Sequence, residues 1–262
     1  MTRVWFLFLH VISSCCYALN LSLAENFWLS SRLSSIQQAT RQEARRLLPL
    51  SSLKCQDATI IFPGSGGRDG LTDELEARIS KYVSHTLTWD WSHHRGTVAT
   101  AAFDGEAVGE ALADIYQDCR SIHIIGVSVG AFCANQMATS LFQSSTRPQI
   151  RLTLLDPFCS RGIFGIGYGN NHFGACADYA EQYLNTDDPV PTTNNPLSKC
   201  YCIDVTRAPE RDVFDLPKGE SMHCWPLAYF SRHGYHCDRD THGSVIVPQH
   251  DITTARGNVE RR

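Results

Sequence analysis

The stretch "SIHIIGVSVGAFCANQMA", residues 121–138, changes character halfway along. Its first half, Ser121–Val127, is apolar apart from one polar break, and its second half is rich in helix formers. Such a pattern reads as a buried strand running into a helix. Between the halves stands Ser128, with Gly126 two residues before it and Gly130 two residues after. A G-x-S-x-G spacing alone arises by chance in roughly one chain in ten of this length. Its position at a strand-to-helix junction carries the weight, because there a nucleophile is held in a strained backbone conformation that projects its oxygen off a sheet. The residues two before and two after must then be small, and the amides opening the helix favour negative charge nearby. Ser128 is the candidate nucleophile, and Gly126 and Gly130 are the elbow glycines.

Working outward, strand and helix patterns alternate from about residue 58 to residue 156. "DATIIF" is a strand entering the glycine-rich loop "PGSGGRDG", and "LTDELEARISKYVSH" is a helix with Asp73 and Glu74 at its dipole-favoured start. "TLTWDW" is a strand, "EAVGEALADIYQDC" a helix, and "IRLTLLDPF" a strand. This alternation predicts βαβ units around a mostly parallel sheet, apolar on both faces and covered by helices on each side. The fold class expected is α/β in a single domain. Beyond residue 156, "YAEQYLN" and "KCYCIDVT" are expected late strands and "WPLAYFSRH" a closing helix, while residues 241–262 show little periodicity and read as a loose tail. Residues 25–50 read as an N-terminal helical segment and residues 51–240 as the main domain.

A serine needs a base and a carboxylate to become a nucleophile, and on an open α/β sheet these follow it in the chain. His223, in "SMHCWPLAYF", lies after the last expected strand and just before a helix, so it is the candidate base ahead of His172, His233, His236 and His242. Two carboxylates compete as the acid. Asp156 ends "RLTLLDP" and Asp188 follows the next strand in "YLNTDDPVP". Both lie at carboxyl ends of strands, where catalytic groups gather, and both precede a turn-favouring proline. At least one of them is expected to be only a turn cap. For the oxyanion the main-chain N–H groups of Val129 and Ser65 are the candidate donors, with glycines at 64, 66 and 67 letting bare backbone approach. The loop "GSGGRDG" lacks the lysine and spacing of a phosphate-binding loop.

Composition bounds the rest. The chain has 262 residues, 43% hydrophobic and 19% charged, with a formal charge of −4, which argues against a nucleic-acid partner. "MTR" followed by "VWFLFLHVISSCCYA" and small residues at Ala18 and Ala24 has the layout of a signal peptide over 1–18, with cleavage as late as 24 as the alternative. A secreted protein is expected. Of the 11 cysteines, Cys15 and Cys16 fall in that leader, leaving nine, so disulfides and at least one free thiol are expected. Cys200-x-Cys202 is too closely spaced for the usual zinc chelate, and neither metal nor cofactor is expected.

These residues resemble the α/β-hydrolase lipases, in particular the pancreatic-lipase-like branch. The similarity covers about residues 58–156: "IIFPGS" is similar to the oxyanion strand and loop, "TWDW" with "AFDGEAVGEALA" to the following strand and helix, "IHIIGVSVGA" to the nucleophile strand and "RLTLLDPF" to the strand bearing the acid. "MHCWPLAYF" is similar to the setting of the family's histidine. Val127 departs from the histidine common before the nucleophile, and "TDDPVP" resembles the fungal-type lipases, whose acid comes one strand later. The resemblance implies a Ser128–His223–Asp156 triad, with Asp188 as the alternative acid, cleaving carboxylic esters of lipid-like substrates with transient lipid-surface contact. Phe164, Tyr168 and Phe173 are candidate substrate contacts. A thioesterase or other acyl hydrolase is the alternative within the same chemistry. A secreted lipid-binding protein without catalysis is the alternative outside it.

Overall fold

Seven strands, every neighbouring pair parallel, form one sheet in the order β2-β1-β3-β4-β5-β6-β7. The computed structural model describes residues 29–48, 56–97, 99–162, 165–188, 190, 194–234 and 256–262. The leader, Phe164, His236 and His242 lie outside these residues. The strands are β1 (Asp57–Phe62), β2 (His85–Thr88), β3 (Ser121–Val127), β4 (Gln149–Leu155), β5 (Tyr179–Leu184), β6 (Tyr201–Asp204) and β7 (Val259–Arg261). Helices are α1 (residues 29–47), α2 (Gly70–Ile79), α3 (Ala101–Tyr116), α4 (Ala131–Gln143), α5 (Tyr168–His172) and α6 (Trp225–Tyr229). The architecture is α/β and consistent with an α/β-hydrolase-like arrangement.

Strand polarity alternates between two cores, as the two-residue period demands. Ile122, Ile124, Ile150, Leu152 and Leu154 join the core shared with α1, α3 and α4. Ile125, Val127 and Leu155 face the core built with Leu75 and Ile79 of α2 and with Trp225, Leu227 and Ala228 of α6. The first turn of α2 is fixed by a capping box, in which Asp69 accepts from the Thr72 N–H and the Thr72 hydroxyl oxygen accepts from the Asp69 N–H.

Two expectations are corrected. The sheet is not apolar on both faces. His123, Arg151, Thr153 and Glu181 are buried on the α2/α6 side, where Glu181 accepts from Arg151 at 2.7 Å and from the Thr153 hydroxyl at 2.6 Å, and the Thr153 hydroxyl meets the His123 ring at 2.7 Å. The Arg151–Glu181 pairing and the hydroxyl between them are what allow charges into a strand buried on both sides, although Arg151 Nε and NH1 have no hydrogen-bond partner. Nor is the C-terminus wholly a tail. Val259–Arg261 pairs with β6 as the edge strand, and Arg256 donates to the carbonyls of Gly174 and Ala177. Cys133, Cys159, Cys176, Cys200, Cys202 and Cys224 are free thiols, and Cys119 is disulfide-bonded.

Candidate active site

The sheet's own register brings the site together. Val127 of β3 pairs with Leu155 of β4, so Ser128 and Asp156 leave adjacent strands at the same level. Among the described residues these are the two non-glycines with positive φ, 51° at Ser128 and 46° at Asp156. Side chains rarely adopt this left-handed conformation, and holding each residue there costs on the order of 1–3 kcal/mol. The Phe158 N–H donates to the Ser128 carbonyl at 3.1 Å, tying the chain after Asp156 to the serine turn.

Ser128 opens a short 3-10 turn, Ser128–Gly130, that runs directly into α4. Both elbow glycines are required by close approach. A Cβ on Gly126 would stand 2.8 Å from Ala131 Cα and from Ala134 Cβ, and one on Gly130 would strike Phe62 O and, at 2.5 Å, Pro63 O. The crowding expected around the serine itself is therefore crowding of α4 against β3 and of the turn against the end of β1. Gly64 lies against the serine: a Cβ there would meet Ser128 Cβ at 3.4 Å. Its loop is anchored by the buried Trp91, whose Nε1 donates to Pro63 O at 2.9 Å. Ser65 is exposed in the turn closed by Gly67 N–H to Gly64 O, and Val129 is buried.

His223 is the middle residue of the 3-10 turn Met222–Cys224 before α6, with its N–H donating to Ser221 Oγ at 3.3 Å. Its Nδ1 lies 3.0 Å from Asp156 Oδ2 and 2.6 Å from Asp188 Oδ2. The expectation that one aspartate would be only a turn cap is thus corrected: Asp188 also accepts the Val190 N–H on Oδ1 at 3.0 Å, so it caps a turn and holds the ring together. The two acids meet because β4 and β5 are adjacent and parallel, so their carboxyl ends open at one edge. Asn185, absent from the sequence reading, binds the group together. Its N–H donates to Asp156 Oδ1 at 3.3 Å and its side-chain amide to the Met222 carbonyl at 3.0 Å. A buried asparagine at the end of an otherwise closed strand was its only trace in sequence.

Burial pushes the Asp156 carboxyl up to about 7, against the pull of His223, and the neighbouring Asp188 adds to the rise. Burial opposes charge on His223, but the hydrogen bonds that its ring donates to Asp156 and then Asp188 outweigh it and raise the ring to about 9. His223 Nε2 is buried and has no hydrogen-bond partner. The two carboxylates and the ring can be viewed as a set of cation ligands. Spacings of 2.6 and 3.0 Å are those of hydrogen bonds, and they are shorter than the ~3.3 Å edge between ligands that bonds of about 2.0–2.1 Å to zinc require.

Of the other sequence candidates, His172 Nδ1 pairs with the Tyr168 carbonyl at 2.7 Å and His233 lies near Glu210. Tyr168 is half-buried, with its ring stacked on that of His172. Phe173 is fully buried and packs edge-on against Phe132, so it supports the loop from the core side and is no surface for substrate.

No family model matches this chain, and no curated protein does either.

Proposed function

We propose that the chain is a serine hydrolase of carboxylic esters, of the α/β-hydrolase lipase and esterase type. The observation that carries this reading is the left-handed Ser128 at the end of β3, level with a left-handed Asp156 whose carboxylate holds His223. A strained serine at the mouth of a parallel sheet, with an imidazole held through Nδ1 and bare at Nε2, has the parts that nucleophilic acyl transfer needs. The close approach of Gly64 to the serine supports the same reading, since an oxyanion hole needs backbone beside the nucleophile.

In this mechanism His223 Nε2 takes the Ser128 hydroxyl proton as Oγ attacks the ester carbonyl. The N–H groups of Val129 and Ser65 receive the oxyanion of the tetrahedral intermediate. The imidazolium then returns the proton to the departing alcohol, leaving Ser128 acylated, and water reverses the steps to release the acid. Asp156 and Asp188 together keep the proton on Nδ1 and offset the charge that forms on the ring. The substrate class, a lipid-like ester, rests on the sequence resemblance, and export on the layout of the leader. The test is hydrolysis of p-nitrophenyl esters of graded acyl length and of phospholipid by the full chain and by Ser128→Ala. Turnover that rises with acyl length and falls by about 10³-fold or more in the variant is expected. Equal rates from the two proteins would remove Ser128 from the chemistry.

A further inference from the structure

The loop that follows β2 sets two consecutive histidines against α1. His93 Nε2 lies 3.3 Å from Glu43 Oε2, and His94 Nε2 lies 3.7 Å from the same oxygen. The three donor atoms all fall within 4.8 Å of one another. We propose that Glu43, His93 and His94 form a site for one zinc-like divalent cation, which pins α1 to the loop after β2.

The donor set is the first ground. Two imidazole nitrogens and one carboxylate oxygen suit zinc, a borderline-soft cation that takes nitrogen and oxygen at about 2.0–2.2 Å. The spacing is the second. A tetrahedral site with such bonds has ligand–ligand edges of ~3.3–3.5 Å, so the His93–Glu43 pair already fits and the His94–Glu43 pair, at 3.7 Å, is a few tenths of an ångström wider. An ordinary surface ion pair needs one histidine at the carboxylate, whereas here both rings present Nε2 to one oxygen.

The scaffold is the third ground. The His94 carbonyl accepts from Arg32 NH2 at 3.2 Å, and Arg32 grips the fully buried Asp104 through Nε at 2.8 Å and NH2 at 3.0 Å. Asp104 Oδ2 also accepts the Gly96 N–H at 2.8 Å and the Thr100 hydroxyl at 3.0 Å, so the chain just after the two histidines is fastened to that carboxylate. Fixing the ligands by such outer contacts is what raises metal affinity. The exposed His93 leaves the cation a way in and room for water as the fourth ligand.

The experiment uses the full chain, stripped with chelator and titrated with zinc chloride by calorimetry, beside Glu43→Gln and His93→Asn. The expected result is one zinc per chain, a melting temperature raised by roughly 5–10 °C at large excess, and at least about tenfold weaker binding in each variant. His93 is exposed and Glu43→Gln keeps the shape of a half-buried side chain, so the metal-free melts should stay close to the parent. Cobalt(II) gives a second readout on the unaltered chain: an intense low-coordinate visible band, displaced by one equivalent of zinc. A parent that takes up no zinc and leaves cobalt with the spectrum of the hydrated ion would overturn the proposal. So would variants that bind zinc as tightly as the parent, because the metal would then sit elsewhere.

Discussion

At the scale of single residues, strain and charge meet at one edge of the sheet. Ser128 and Asp156 are held in backbone conformations that cost free energy, and two carboxylates meet one imidazole nitrogen. Catalysis by His223 requires its neutral form, and the two carboxylates keep the ring protonated up to about 9. The rate should therefore climb with rising pH through an alkaline limb. Asp188→Asn removes one of the anions that favour the imidazolium, so the limb should move to lower pH by about one unit or more. A pH-stat profile of kcat/KM checks this, and an unmoved limb would mean that Asp188 does not govern the ring. Either aspartate alone still orients Nδ1, so Asp156→Asn and Asp188→Asn should each retain activity that the double variant loses by about 10⁴-fold. The sequence led to both acids but not to their joint action. Choosing between them needed the distance between two strand ends, and strand adjacency is set by packing of the whole sheet rather than by local pattern.

At the scale of elements, the elbow works because α4 lies directly on β3. Gly126→Ala would place a methyl group 2.8 Å from Ala131 and Ala134, and overpacking of that kind costs about 1–3 kcal/mol. Urea unfolding should show the loss, and unchanged stability would mean that α4 yields easily. Asp57–Phe62 was legible because it ends in the apolar run "IIF", and Gln149–Leu155 because Ile150, Leu152 and Leu154 recur at every second residue. Val259–Arg261 was not, since "VER" has no pattern of its own and becomes a strand only by pairing with Cys202–Asp204. Phe173 misled for the opposite reason: an aromatic in a glycine-rich loop looks like a substrate contact, but here it fills the core beside Phe132.

At the scale of the whole molecule, one face of the sheet contains a polar cluster that no periodicity rule anticipates. Arg151 and Glu181 sit on neighbouring strands, both buried, and each makes the other tolerable. Arg151→Met alone leaves Glu181 without its cation and should cost about 3–5 kcal/mol, whereas Arg151→Met with Glu181→Leu should return stability close to the parent value. Thermal melts of the single and double variants decide it, and equal melting temperatures for all three proteins would show that the pair does not couple. The parallel sheet makes the larger arrangement possible: with every strand pointing one way, the ends of β3, β4 and β5 deliver serine and both acids to a single edge. The most direct measurement of the central claim is reaction of the folded chain with a fluorophosphonate probe, followed by mass mapping of the adduct. One adduct per chain on Ser128, slowed at least about 10³-fold in His223→Ala, is the result expected from a serine activated by this imidazole. A folded protein that stays unlabelled, or that labels at the same rate without His223, would contradict it.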